Sequence, residues 1–320
     1  MWVLISYPFN AAGDPAGRRV ILLGHKQGSL VFQIQEKLSA LTRYGKSKHS
    51  AKAGGEYKKY IYSYKTFKDY LDKCCRFAKF CKSNHNCKTI EACKPYANQY
   101  LQSLAGKESA WTIKAVASAI AKLYGISSKE LDKTPSRHRA DIKRSRGEAK
   151  QDKHFSEAKN AELVSFLKAT GLRRSEAESL RGNQLRYHDK QYFIAVEGNQ
   201  GKGGRERELP VIGNVALVVS LMEKAGDKRV LGDIHSACDV HHYRGVYACN
   251  LYKQYARPYK VCLLTPFYDK ERGRLCLNSV YRCRTDKKGC WYDKQAMLTV
   301  SKALGHNRIS VIASNYLYDL

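Results

Sequence analysis

The apolar positions of this chain change character twice along its length. Between about 58 and 131 they recur at three- and four-residue steps, the spacing of one helix face. Phe67, Leu71, Cys74, Ala78 and Cys81 form a first stripe. Ile90, Cys93, Ala97, Tyr100, Leu101 and Leu104 form a second, and Ile113, Val116, Ala117, Ile120, Leu123 and Tyr124 a third. The stripes predict a domain of about four short helices. From Lys133 to Lys153 apolar residues are few, and Pro135 breaks any helix there.

Beyond that stretch helical and strand periods mix. Leu163, Val164, Phe166 and Leu167 suit a helix, whereas Tyr192 to Val196 alternates as a strand does. Glu197 to Gly204 is a glycine-rich turn, and Arg207 to Ile212 returns as a strand, which predicts a hairpin with Lys202 at its tip. Val215 to Ala225 suits a helix, as does the run from His241 to about Tyr255. Tyr281 to Arg284 and Cys290 to Tyr292 read as a second hairpin; Lys294 to Leu304 and the segment after His306 read as closing helices. The expected fold class is mainly α with small β-hairpins. A helical domain at 51–132 is followed by a linker at 133–153 and an α+β domain at 154–320. Residues 1–50 are patterned more weakly. Asn10 to Gly17 reads as loop and Ile34 to Leu41 as a short helix, and the segment receives no role.

Charge narrows the partner. The chain has 57 Lys and Arg against 29 Asp and Glu, a formal net charge of +28. That excess implies a polyanion, most simply nucleic acid. Lys65, Lys68, Lys73, Lys79, Lys82, Lys114 and Lys122 fall opposite the apolar stripes of the helical domain, where phosphates would meet them. The linker is basic as well, with Arg137, Arg139, Lys143, Arg144, Arg146, Lys150 and Lys153. No long apolar span or basic amphipathic anchor points to a membrane. The cysteine count, 11, is odd, and no signal peptide is evident, which favours free thiols in a reducing cytoplasm. Cys81, His85, Cys87 and Cys93 do not match the usual zinc spacings, and no Cys-x-x-Cys pair exists, so no metal is expected.

The candidate chemistry starts at Thr170-Gly171-Leu172-Arg173-Arg174-Ser175-Glu176. Gly171 admits a backbone angle that aims Arg173 away from the core, and an arginine held rigidly suits bidentate binding of a phosphate. Ser175 with Glu178 is expected to cap the next helix; Glu176 is read first as a structural helix cap and second as support for Arg173. Gly201-Lys202-Gly203 is not a nucleotide-binding loop, since no Ser or Thr follows the lysine. His241-x-x-Arg244, then Leu304-Gly305-His306, then Tyr316 complete the series.

In this order the motifs resemble those of the tyrosine recombinase (phage integrase) family, over roughly 155 to 320. Thr170 to Glu176 resembles the first arginine box, Lys202 the hairpin lysine, His241 to Arg244 the second box, Leu304 to His306 the third, and Tyr316 the nucleophile. Three features depart from the family pattern. Tyr243 and Gly245 flank the second arginine, residues 256–292 are long, and Tyr316 lies ten positions past His306 where nine is commoner. Tyr318 is the alternative nucleophile. It is two positions further on, so its side chain would point about 200° away on a helix.

The resemblance implies a site-specific recombinase that cleaves and rejoins double-stranded DNA through a 3′-phosphotyrosyl intermediate, with no cofactor. It also implies a homotetramer on DNA and leaves room for accessory host or directionality proteins. The residue types agree. Arg173 and Arg244 would hold the non-bridging oxygens, each donor being worth about 3 kcal/mol in comparable oxyanion sites. A tyrosine, with a reference pKa of about 10, needs a base or a cationic site. His241 is expected to be that base, His306 a phosphate donor and Lys202 the general acid on the leaving 5′ oxygen. Two alternatives stay open: a DNA-binding protein of this fold without strand transfer, and a DNA-relaxing topoisomerase of the type IB kind.

Overall fold

The computed structural model describes residues 28–46, 48–138, 141, 155–201, 206–270, 272–284, 287–306, 308–317 and 320. The chain divides into two compact units, the first ending at Arg137 and the second beginning at His138. The division falls inside the expected 133–153 linker, most of which lies outside the described residues.

The first unit is helical throughout its core. Its helices are α1 (Leu30–Ala40), α2 (Lys48–Ala53), α3 (Tyr64–His85), α4 (Ile90–Cys93), α5 (Ala97–Ser103) and α6 (Ala110–Tyr124). Sequence punctuation sets the limits of the two longest. The side chains of Ser63 and Ser109 accept from the amides of Thr66 and Thr112 at the N-termini of α3 and α6. Asn86 and Gly125 close the same helices in the left-handed conformation. The three apolar stripes meet as one core that includes Phe77, Cys74, Cys81, Ala117 and Ile120. Burying a side chain such as Phe77 or Ile120 contributes about 1.5–3 kcal/mol. Cys74, Cys81 and Cys93 serve there as small core residues, and the Cys74 thiol donates to the Ala119 carbonyl at 3.5 Å. The eleven cysteines are all free.

Helix α1 departs from the expectation for residues 1–50. Its Leu30, Ile34 and Leu38 enter the same core, and α1 packs on α3 and α6. The helical unit therefore starts well before residue 51. Residues 1–27 lie outside the described residues.

The second unit contains α7 (Ala161–Thr170), α8 (Arg174–Ser179), β1 (Leu185–His188), β2 (Gln191–Val196), β3 (Arg207–Pro210), α9 (Val215–Ala225) and α10 (Val240–Tyr255). It continues with α11 (Tyr259–Leu264), β4 (Phe267–Asp269), β5 (Arg274–Cys276), β6 (Val280–Arg282), β7 (Trp291–Asp293), α12 (Lys294–Ala303) and α13 (Ile309–Asn315). The first three strands form an antiparallel sheet in the order β1-β2-β3. Ile194 pairs with Leu209 and Val196 with Arg207 in its register. The other four strands make two separate hairpins.

Helix α10 is the hub. Val240, Tyr243, Arg244, Tyr247, Ala248, Leu251 and Tyr252 are all buried, and the helix packs against both α7 and α12. The described part of the long stretch between the second and third boxes is tied to that hub, where the Asp293 amide donates to the Tyr252 hydroxyl at 2.9 Å. Arg257 grips Asp293 at the start of α12 through Nε at 2.7 Å and Nη2 at 2.8 Å, and donates to Ser279 at 2.9 Å. No helix among the described residues is long and apolar enough to cross a membrane.

Candidate active site

Gly171 ends α7 with a φ of +58°, and a Cβ there would lie 2.3 Å from the Tyr247 ring. Only glycine satisfies both the left-handed backbone and the close approach of α10. The chain then turns at once into α8, with Arg173 as its N-cap. The expected capping by Ser175 and Glu178 does not occur, because Ser175 is already inside the helix. Glu176 stands three residues past the cap and accepts the Arg173 amide at 2.8 Å. Glu178 instead lies 3.6 Å from Arg174. Arg174 itself faces away from the site, donating to the carbonyls of Ile234 and Cys238 and so pinning the loop that leads into α10.

Glu176 is 1% exposed and sits at the centre of the arginines. Its Oε1 accepts from Arg173 Nη1 at 2.6 Å, its Oε2 accepts from Arg207 Nη2 at 2.7 Å, and Arg244 Nη1 lies 4.0 Å from Oε2. Burial pushes its carboxyl pKa up. The hydrogen bond and charge of Arg207 and the two hydrogen bonds from Arg173 outweigh this and hold it below the usual range.

The same arginines cap the C-terminus of α12. Arg173 Nη2 and Arg244 Nη2 both donate to the Leu304 carbonyl, at 3.0 and 2.6 Å, and Arg207 Nε donates to Ala303 at 2.8 Å. Cations at this end of a helix are favoured by its dipole. Arg244 Nη1 also donates to the Gly171 carbonyl, which ties the first box to the second.

His306 follows a sharp turn at Gly305, whose φ is +67°. The turn closes through Gly305 N to Lys302 O at 2.9 Å and His306 N to Ser301 O at 2.8 Å. The bend expected at Asn307-Arg308 thus begins two residues earlier, at the glycine; Asn307 lies outside the described residues. The bend lets α13 run back against α12, and Tyr316 stands just past its last residue as the C-cap. Tyr316 is buried. Its hydroxyl accepts from Arg244 Nε at 3.3 Å and lies 3.0 Å from His306 Nε2. The backbone around it is held by the Cys249 thiol on the Tyr316 carbonyl at 3.1 Å and by the Tyr292 hydroxyl on Leu317 at 2.6 Å. His241, exposed on the first turn of α10, has its ring centroid 5.7 Å from that of Tyr316. Tyr243, beside Arg244, is buried and donates its hydroxyl to Glu157 at 2.9 Å.

Of the six residues proposed from sequence, Arg173, His241, Arg244, His306 and Tyr316 converge on this cluster. Lys202 lies outside the described residues, as does Tyr318. Burial first, and then Arg244, Arg173, Arg207 and Arg308, push the His306 pKa down to about 4, so His306 is neutral at physiological pH. A third arginine, Arg207, which was not a candidate, adds positive charge to the cluster. Three guanidiniums against one carboxylate leave an excess of two positive charges. The signal for Arg207 was present in the register, since it shares the buried sheet face with Ile194, Val196 and Leu209. Among the described residues no group of three or more His, Cys, Asp or Glu could hold a metal ion.

No protein-family model matches the chain, and no curated protein does. Among solved structures, the XerH site-specific recombinase bound to palindromic difH substrate in a post-cleavage complex is similar with a TM-score of 0.50. The two chains are 13% identical, and the match covers 91% of each. This chain has the tyrosine-recombinase fold. XerH in a pre-cleavage complex with difH scores 0.47 at 12% identity, covering 92% of this chain and 96% of that one. The Tn1549 transposon integrase with a circular intermediate DNA scores 0.43 at 10% identity, covering 90% and 95%. The fold assignment rests on the first of these alone. The Gly305 turn and the return of α13 bring Tyr316, ten positions past His306, back to within 3.0 Å of His306 Nε2.

Proposed function

We propose that the chain is a site-specific DNA recombinase, the integrase of a mobile element, which cleaves and rejoins double-stranded DNA through Tyr316. The observation that carries this reading is the Tyr316 hydroxyl, held between Arg244 Nε at 3.3 Å and His306 Nε2 at 3.0 Å within its own chain. A phenol is a poor nucleophile at neutral pH unless a base takes its proton or a cation favours its anion. Here a guanidinium and a neutral imidazole both touch it. In this arrangement the base role expected of His241 passes to His306, and His241 is left to hydrogen-bond the phosphate.

Tyr316 Oη would attack the phosphorus, the bond to the 5′ oxygen would break, and the 5′ hydroxyl would leave with a proton from Lys202. Arg173 and Arg244 would transfer their Nη donors from the Leu304 carbonyl to the non-bridging oxygens as charge builds there. The phosphotyrosyl link conserves the bond energy, so rejoining needs no nucleotide. Pairing two sites would require a tetramer on DNA, formed from a monomer in free solution, and accessory proteins would set direction.

The test uses duplexes selected from a random-sequence pool by binding, then nicked near the bound site. A covalent protein–DNA adduct resistant to denaturant is expected. Its absence on every bound sequence would leave a DNA-binding protein without strand transfer. Relaxation of plasmid without exchange between two sites would indicate a topoisomerase.

A further inference from the structure

We propose that Arg207 is a positioning residue for strand cleavage, one side chain that holds the first box and the third box in a single fixed geometry. Its consequence for cleavage rests on the recombinase reading above.

Arg207 begins β3 on the face of the sheet that is buried with Ile194, Val196 and Leu209. An arginine on such a face must find partners for its donors. Its side chain is 7% exposed and is bonded in two directions. Nη2 donates to Glu176 Oε2 at 2.7 Å, and Nε donates to the Ala303 carbonyl at 2.8 Å. The absence of a side chain at Gly305 makes the room: a Cβ there would lie 3.1 Å from Arg207 Cδ and 3.3 Å from its Nε. Residues 173–176, 207 and 303–306, far apart in sequence, therefore meet at one guanidinium. Glu176 relays the constraint, since its other oxygen holds Arg173.

A lysine cannot reproduce this. It supplies a point charge on a flexible stem, whereas the planar fork serves two acceptors along fixed directions. The charge has a second consequence. His306 is surrounded by Arg244 from α10, Arg173 ahead of α8, Arg207 from β3 and Arg308 from its own segment, with the Tyr316 hydroxyl at 3.0 Å. Arg207 is one of the cations that keep the imidazole neutral.

The experiment compares Arg207→Lys and Arg207→Gln with the unmodified full chain by three readouts. These are adduct formation on the nicked duplex across pH, the His306 imidazole titration followed by NMR without DNA, and thermal midpoint. Arg207→Lys should keep the His306 titration in place and lower the rate of adduct formation by about tenfold or more, the scale of a misplaced reacting group. Arg207→Gln should lower the rate similarly and move both the His306 titration and the acid limb of the rate profile to higher pH, by up to about one unit. A purely structural arginine would lower the thermal midpoint and leave the His306 titration and pH limb in place. Arg207→Lys at the full rate, or Arg207→Gln with an unmoved His306 titration, would overturn the proposal. If glutamine prevents folding, the lysine variant decides by its rate. If the unmodified chain forms no adduct, the recombinase reading fails, while the titration still decides whether Arg207 governs His306.

Discussion

In the helical unit Lys65, Lys68, Lys79 and Lys82 stand exposed along α3, outside an apolar core. In the other unit the side chains of Arg207 and Arg244 are 7% and 3% exposed, bonded to backbone carbonyls, and gathered with Arg173 around one buried carboxylate. The difference teaches where charge can carry specificity. Solvated lysines act through a diffuse field that salt screens within roughly 8–10 Å. Buried guanidiniums have fixed directions and are screened far less, at the cost of requiring partners for their donors. The first arrangement suits holding a polyanion in any register; the second suits gripping a single phosphate.

Substitutions that separate the two kinds of charge should give the largest effects. Arg173→Lys or Arg244→Lys should slow adduct formation by about 10²–10³-fold, the cost of removing one oxyanion donor, with DNA affinity changed little. Single-turnover cleavage of pre-bound DNA measures this. A fall in affinity without a fall in rate would erase the contrast.

Two glycines sharpen it at the level of packing. Gly125 and Gly171 have similar positive φ angles, +66° and +58°, but only at Gly171 would a Cβ collide with a ring. Gly125→Ala should cost about 1–2 kcal/mol of backbone strain. Gly171→Ala should cost about 1–3 kcal/mol more, from overlap with Tyr247, measured by denaturant unfolding. Equal losses would mean that α10 yields freely.

Replacing Lys65, Lys68, Lys79 and Lys82 together by Gln should weaken DNA binding by about tenfold. The slope of log affinity against log salt should become shallower by about 0.9 for each phosphate that the variant no longer neutralises. Cleavage of DNA already bound should be unchanged.

The smallest expected effect concerns acid. The folded pKa of His306 lies near 4 against an ordinary value of 6.5, so the unfolded chain takes up that proton first. Stability from this group is complete above pH 6.5 and is lost as pH falls toward 4. Glu176, also held below its ordinary value of 4.5, adds a loss at still lower pH. The shifted groups of the helical unit behave otherwise. Burial pushes the Cys74 thiol and the Tyr124 phenol up from ordinary values that are already alkaline, and burial followed by Lys48 lowers Lys122 from its ordinary 10.5. Hydrogen exchange on the full chain should therefore show α10 and α12 losing protection as pH falls from 6.5 toward 4, with α3 and α6 steady.

Much of this was legible in the order of residues, for physical reasons. The helix stripes were visible because α3 and α6 each bury one face, and α9 was bounded as expected, from Val215 to Ala225. Strand β1 was missed because three of its four residues are exposed, which leaves no alternation to detect. The β4–β5 hairpin was missed because each strand has only three residues. Helix α1 was assigned no role because three buried residues make too short a stripe. The site residues were recognisable by type and order, but their partners were not. That Glu176 links Arg173 to Arg207, and that Ala303 and Leu304 offer carbonyls to three arginines, depends on contacts between distant segments that no local pattern encodes.

The central claim is that Tyr316 is the nucleophile, and a denaturing gel of adduct formation on a nicked duplex tests it most directly. Tyr316→Phe should bind that duplex with nearly unchanged affinity and form no adduct, while Tyr318→Phe should form it as the unmodified chain does. An adduct that persists in Tyr316→Phe and disappears in Tyr318→Phe would contradict the assignment.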